Sequence, residues 1–161
     1  MSKDQALRDQ LLYFLDSGGA HISFASAIKD FPDDLIGQKI PKLDHTAWQL
    51  VFHLRIAQWD MLEFIRNPDH VSPDYPHGYW PESDTPASTQ EWRDAISKFL
   101  HELEEIKALV ADPGADLFFP FPHGSGQTLL REALLVADHN SYHVGQLVDL
   151  RMLLGVPIRD Y

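Results

Sequence analysis

The stretch that decides the fold is residues 128–155, which read TLLREALLVADHNSYHVGQLVDLRMLLG. Its leucines and valines recur at intervals of three and four residues, which places them on one face of an α-helix. Thr128 stands at the start of this run, and Gly155 and Pro157 follow its last leucine. Glycine and then proline are typical of helix ends, so we predict one long helix from about Thr128 to Gly155.

Three further segments without proline show the same helical spacing of apolar residues. They cover approximately residues 3–30, 44–66 and 88–111. Gly18 and Gly19 interrupt the first segment, which predicts either one bent helix or two short ones. The sequence shows no strand or hairpin signal. Four helical segments therefore predict an all-α chain that folds as a four-helix bundle.

Two local patterns refine the second and third segments. Ser88 and Glu91 have the Ser-x-x-Glu spacing of a capping box, which predicts the start of the third helix. The second segment carries its large apolar residues at helical spacing, and we expect them to be buried. These residues are Trp48, Val51, Phe52, Ile56, Trp59, Leu62 and Ile65.

The connections between the last three segments are long. Roughly twenty residues join the second to the third and roughly sixteen join the third to the fourth, whereas 2–8 are usual in bundles. Such lengths permit a crossover topology. We expect the connections to pack over the bundle within a single domain of residues 1–161, because they are rich in aromatic residues: Tyr75, Tyr79, Trp80, Phe118, Phe119 and Phe121.

Composition excludes several classes of protein. The 161 residues include 13 Lys and Arg against 24 Asp and Glu, and the net charge of −11 makes a nucleic-acid ligand unexpected. The chain contains no cysteine, which excludes disulfides, thiolate nucleophiles and iron–sulfur clusters. Its polar start and the lack of a long apolar run predict neither a signal peptide nor a membrane span, and we expect a cytoplasmic protein.

Histidine is abundant, with nine in the chain, and two of them form a metal-binding pattern in the fourth segment. His139 and His143 are four residues apart, so they share one helix face within reach of one ion. A zincin protease needs Glu after the first histidine, but Asn140 stands there. The alternative is a pair of solvent-exposed histidines, which the apolar neighbours on that side of the helix argue against.

A third ligand is available in the second segment. His53 lies between Phe52 and Leu54 in the middle of the apolar stretch. A lone histidine there is more often a hydrogen-bonded core residue. Together with His139 and His143, it predicts a three-histidine site with one coordination position open for water, whose pKa the metal would lower.

Four other residues are weaker candidates for function. His21 and Asp60 are candidate general bases, and Asp60 lies two turns beyond His53 on the same face. His123 and Gln146 are candidate cofactor-binding residues, and Gln146 lies one turn beyond His143. Each of the four has an ordinary structural or solvated role as its alternative.

The remaining histidines need no metal to explain them, and one glycine needs an explanation of its own. We expect His45 to cap its helix or contact solvent, and His70, His77 and His101 to be solvated. Gly145 lies in a helix interior, where glycine costs about 0.8–1 kcal/mol relative to alanine, and close approach of a helix or ligand would explain it.

Two stretches carry a resemblance to a known family. WQLVFHLRIAQ at residues 48–58 and HNSYHVGQL at 139–147, continued by VDLRMLLG at 148–155, resemble the DinB/YfiT-like superfamily. The resemblance implies a four-helix bundle with long crossovers, often dimeric, that holds a divalent metal with three histidines. By position these ligands are His53, His139 and His143.

The resemblance also implies a chemistry. Characterised relatives include thiol-dependent S-transferases and a mycothiol-dependent isomerase, so the resemblance implies a low-molecular-weight thiol as cofactor. The metal that it implies is Zn²⁺, Ni²⁺ or another first-row ion. Asn140 and Val144 stand where some relatives carry Glu or Arg. The chain departs from those relatives at these two positions.

Three hypotheses about function follow from the sequence. The first is a metal-dependent enzyme that activates a thiol or water for S-transferase or hydrolase chemistry on a small molecule, as a homodimer. The second is a non-catalytic, stress-associated metal-binding bundle or interaction module. The third, a role in DNA damage suggested by the name of the superfamily, is disfavoured by the net charge of −11.

Overall fold

Five α-helices make up the part of the chain that the computed structural model describes, residues 2–16 and 19–158. These residues contain no β-strand, so the predicted all-α fold is confirmed. The helices are α1 (Lys3–Leu15), α2 (Phe24–Ile28), α3 (Ala47–Arg66), α4 (Thr89–Ala111) and α5 (Leu129–Leu153), with short 3-10 turns at Asp33–Leu35 and His77–Tyr79.

The first predicted segment is two helices. α1 ends at Leu15 and α2 begins at Phe24, so the alternative of two short helices is correct. Gly18 of the predicted glycine break lies outside the described residues. Gly19 is described and has a φ of 64°, a left-handed conformation that favours glycine.

Each helix begins at a hydroxyl that accepts a hydrogen bond from a backbone N–H in the first turn. In α4, the Ser88 hydroxyl accepts from the N–H of Glu91 as predicted. The Glu91 carboxylate, however, accepts from the N–H of Ala87 at 2.6 Å, so the reciprocal half of the predicted box reaches one residue further back. A complete capping box occurs instead at Thr46 and Gln49, at the start of α3.

The four long helices form a bundle. α1 and α3 each pack against both α4 and α5, which places α1 and α3 at opposite corners, and α2 packs on α5. The connections of 67–88 and 112–128 are as long as the sequence predicts. Within the described residues, no helix combines the length and apolar character that crossing a membrane requires.

The apolar interior consists of two clusters at opposite ends of the bundle. One is built around Trp48, Phe99 and Leu147, and the other around Leu62 and Ile106. In each long helix from α3 onward, the residues between the two clusters include polar side chains. We call these residues the polar layer, and they are His53, Arg55, Gln58, Glu102, His139, Asn140 and His143.

Gln58 joins three helices within the polar layer. It is fully buried, donates to the Phe99 carbonyl of α4 at 2.7 Å, and accepts from Asn140 of α5 at 2.9 Å.

The buried face of α3 differs from the prediction. Trp48, Val51 and Leu62 are buried as expected, but the face is centred on Leu50, Leu54, Ala57, Gln58 and Met61, and it leaves Phe52, Ile56, Trp59 and Ile65 only partly buried.

The aromatic residues of the long connections divide into two groups. Tyr79 and Trp80 pack against the bundle as predicted and are partly buried, as is Phe121. The expectation is wrong for the others, because Tyr75, Phe118 and Phe119 are 83%, 60% and 65% exposed.

Candidate metal centre

Three histidines from α3 and α5 converge in the polar layer. The Nε2 atom of His53 lies 3.1 Å from Nε2 of His143 and 3.1 Å from Nε2 of His139. All three potential ligand atoms lie within 4.8 Å of one another. Because a tetrahedral site with 2.0–2.1 Å bonds separates its ligand nitrogens by about 3.3 Å, the spacing is close to that of a metal site.

In two of these rings, the hydrogen bond made by the outer nitrogen, Nδ1, fixes which nitrogen carries the proton. Nδ1 of His53 donates to the backbone carbonyl of Tyr79 at 3.1 Å, and Nδ1 of His143 donates to Oε1 of Gln146 at 2.6 Å. A neutral imidazole has one N–H, so both Nε2 atoms carry lone pairs. The two lone pairs therefore face each other without a proton between them.

Burial keeps these rings neutral. Burial, together with the nearby imidazole of His143, lowers the pKa of both His53 and His139 to about 4. The pKa of His143 is also lowered, mainly by burial. At neutral pH the cluster therefore offers uncharged nitrogen donors, which is the form that binds a divalent transition metal.

His139 has the least support of the three. Its Nδ1 atom is buried, and no hydrogen-bond partner for it is present in the described part of the chain. The Oδ1 atom of the adjacent Asn140 is in the same situation. Burying the Nδ1 atom without a hydrogen bond costs free energy. A cation among the three Nε2 atoms would attract the His139 ring and offset that cost.

Aromatic rings cover the cluster on the side of the 67–88 connection. Trp80 stacks on His53, with ring centroids 4.0 Å apart and planes 1° from parallel. His45 stacks on Trp80 with ring centroids 3.9 Å apart and remains partly exposed, whereas the helix cap expected of it is supplied by Thr46. Tyr142 contacts His143 edge to face at 4.9 Å.

Asp60 contacts the 67–88 connection. Its two carboxylate oxygens accept hydrogen bonds from Nε2 of His70 and from the hydroxyl of Tyr79, each at 2.7 Å. Burial and Asp60 raise the pKa of Tyr79 to about 12, which keeps its hydroxyl protonated. The prediction of a solvated His70 is wrong, because this hydrogen bond and the adjacent Trp59 ring leave the His70 side chain 7% exposed. His77 and His101 are exposed as predicted.

His21 and His123 contact other parts of the molecule. His21 is exposed, and its Nε2 lies 2.9 Å from the Ser141 hydroxyl, which links the α1–α2 connection to α5. His123 donates to the carbonyl of Phe64 at 2.7 Å. Phe64 is about three turns beyond His53 on α3, which separates His123 from the cluster along the bundle. Gln146, by contrast, lies beside the cluster and orients His143.

Sequence reasoning missed Gln58, Tyr79 and Trp80 as parts of the site. Gln58 had a detectable signal, because it is a polar residue at a position where helical spacing from Leu54 and Met61 predicts burial. Tyr79 acts through its backbone carbonyl, which carries no sequence signal. Trp80 was expected only to cover the bundle.

Comparison with known proteins identifies the family. A family model described as the DinB superfamily matches residues 22–147, which is 126 of the 161 residues and includes all three histidines. Comparisons with curated proteins and with solved structures found no match. On the family match, which agrees with the helical bundle and the three-histidine cluster, the chain belongs to the DinB superfamily.

Proposed function

We propose that the protein is a metal-dependent enzyme in which His53, His139 and His143 hold one divalent ion. The observation that carries this proposal is the convergence of the three Nε2 atoms while the Nδ1 protons of His53 and His143 are directed outward. Such a set of neutral imidazoles suits Zn²⁺, Ni²⁺ or another first-row ion.

The ion would supply an open coordination position at which a water or a thiol loses its proton and becomes a nucleophile. The chain's own residues prepare that position. Tyr79 and Gln146 fix the orientation of two ligand rings, and Trp80 covers the face of His53. Because the chain lacks cysteine, a thiol used in S-transferase chemistry would come from a small-molecule cofactor.

A cavity beside the cluster supports a small-molecule substrate. It has a volume of about 300 Å³, and its lining includes Gln146, which contacts His143, and His45, which stacks on Trp80. Lys42, Asp44 and Asp149 also line it, so it offers charges of both signs. None of the three histidines lines this cavity directly, and Gln146 and Tyr142 connect it to His143. A cavity of about 500 Å³ around Arg151 is larger, but its lining includes neither of these two residues, and Arg151 lies two turns beyond His143 on α5.

One observation favours the non-catalytic alternative, a metal-binding bundle or interaction module. Asp60 and His21, the two candidate bases, are both engaged away from the Nε2 atoms: Asp60 with His70 and Tyr79, and His21 with Ser141. A reaction at the metal would therefore rely on the metal-bound nucleophile itself.

Elemental analysis of protein purified without an affinity tag tests the metal site. We expect about one equivalent of a divalent ion, and its loss in His53→Ala. His101→Ala is the matched control, because this histidine is exposed on α4. Less than about a tenth of an equivalent, unchanged after incubation with Zn²⁺ or Ni²⁺, would reject the proposal.

The Co²⁺-substituted protein separates the enzyme from the alternative. If a thiol binds at the open position, low-molecular-weight thiols will change the visible spectrum of the bound Co²⁺. If the ion is only structural, chelation will lower the melting temperature while thiols leave the spectrum unchanged.

We further propose that the protein is a cytoplasmic homodimer, which rests on the sequence and on the family resemblance. Light scattering coupled to size-exclusion chromatography gives the mass in solution. A mass of twice the 18.4 kDa of one chain is expected.

A further inference from the structure

Asp60 is a partly buried carboxylate with no role in the proposed chemistry. Its side chain is 15% exposed, and each oxygen accepts one hydrogen bond of 2.7 Å, from His70 and from Tyr79. Hydrogen bonds to a carboxylate are stronger than those between neutral groups. The contact therefore holds its two partners firmly.

Both partners belong to the connection between α3 and α4. His70 lies near its start, and Tyr79, nine residues later, ends its 3-10 turn. His70 is further held edge to face against Trp59 of α3, with ring centroids 5.2 Å apart. Asp60 thus attaches two separate points of a 22-residue connection to one helix.

Tyr79 carries this attachment to the three-histidine cluster. While its hydroxyl bonds to Asp60, its backbone carbonyl accepts the Nδ1 proton of His53. Trp80, the next residue, stacks on the His53 ring. Asp60 and His53 lie on the same helix seven residues apart, and Tyr79 bridges them.

We propose that Asp60 is a positioning residue, which holds Tyr79 so that its carbonyl and the neighbouring indole set the tautomer and the plane of His53. This inference rests on the proposed metal site and deepens it, because it names the group that prepares the ligand. It also replaces the general-base role expected for Asp60, since both of its oxygens are already occupied.

Tyr79→Phe is the sharpest test. It removes only the hydroxyl and keeps the aromatic ring and the backbone carbonyl that contacts His53. Any change at His53 must therefore come through the lost bonds of this hydroxyl, to Asp60 and to the Ser72 side chain, and the Asp60 variants separate the two. Asp60→Ala removes the same attachment from the other side, and Asp60→Asn, which keeps one acceptor oxygen, should give a smaller effect.

The first measurement uses metal-free protein. Imidazole ¹⁵N–¹H correlation spectra report which ring nitrogen of His53 carries the proton. We expect only the Nδ1–H form in the wild type and a mixture of tautomers in Tyr79→Phe and Asp60→Ala. Asp69→Asn is the matched control, because this carboxylate is exposed in the same connection, and it should match the wild type.

The second measurement is the Kd for Zn²⁺ by chelator competition. Loss of a partner that orients a ligand typically weakens metal binding 10–100-fold, which is the loss expected for Tyr79→Phe and Asp60→Ala. A folded Tyr79→Phe variant that keeps a single Nδ1–H tautomer and a Kd within twofold of the wild type would overturn the inference. If the wild type binds no metal, the proposed function fails, and the tautomer spectra still decide the role of Asp60.

Discussion

The three metal-ligand candidates differ in how their outer nitrogens are held. Nδ1 of His53 bonds to a backbone carbonyl, that of His143 bonds to a side chain, and that of His139 is buried without a described partner. A backbone carbonyl is carried by the fold, whereas Gln146 can be replaced by mutation. The support of His143 can therefore be tested separately from the ligand itself.

Gln146→Ala should weaken metal binding without abolishing it. The substitution leaves all three ligand nitrogens in place but removes the acceptor that fixes the tautomer of His143, so we expect about a 10-fold rise in the Kd for Zn²⁺. Chelator competition measures it, with Gln90→Ala, an exposed glutamine of α4, as the control. An unchanged Kd would mean that His143 needs no orienting partner.

At the scale of the element, α5 carries part of the candidate metal site on its inward side and exposed residues unrelated to the site on its outward side. Its inward side alternates apolar residues with His139, Asn140 and His143, and its outward side includes Gly145, which is exposed. The expected close approach at Gly145 is absent from the described residues, because a Cβ built there meets no atom within 4 Å. The helix thus carries a glycine that its surroundings within this chain do not require.

Gly145→Ala should stabilise the chain. Alanine is favoured over glycine in a helix interior by about 0.8–1 kcal/mol, and the added methyl group has open space. We expect the melting temperature to rise by about 2–4 °C. Gly37→Ala is the opposite case, because its Cβ would overlap the side chain of Thr85. A loss of stability in Gly145→Ala would show that another molecule covers this face of α5.

At the scale of the whole molecule, the polar layer divides the core. Apolar clusters lie on both sides of it, and the layer itself contains the Gln58 bridge, the Arg55–Glu102 ion pair and the histidines. Buried polar groups are costly unless they are paired, and the convergent lone pairs of the histidines are one unpaired part of this layer. Other buried atoms of the layer without a partner in the described residues are Arg55 Nε, Glu102 Oε2, His139 Nδ1 and Asn140 Oδ1. A bound cation would therefore stabilise the entire bundle.

Metal binding should raise the stability of the folded chain. A ligand that binds only the folded state at 100 times its Kd adds about 2.7 kcal/mol, which corresponds to a rise of about 5–11 °C in melting temperature for a chain of this size. Differential scanning calorimetry with and without Zn²⁺ measures the rise, which should disappear in His53→Ala. An equal rise in that variant would place the ion elsewhere.

The sequence by itself determined the helical segments and two of the three candidate metal ligands, His139 and His143, which it places as a pair on one helix face. The periodicity of the apolar residues, the hydroxyl cap at Ser88, and the spacing of His139 and His143 all depend on contacts within a few residues along one helix. A helix has a fixed period, so its sequence alone places such groups on a common face. His53 was predicted as the third ligand by combining this pair with its place in the middle of an apolar helix, and the family resemblance implies the same residue.

Only the tertiary structure decided what surrounds the ligands. The carbonyl that holds His53 comes from a residue 26 positions away, and His53 meets His143 across 90 positions. The tertiary structure also shows that His70 packs against Asp60 and that the buried face of α3 is centred near Gln58. It places His123 away from the site. These contacts depend on how the long connections return to the bundle, and helical periodicity carries no information about that path.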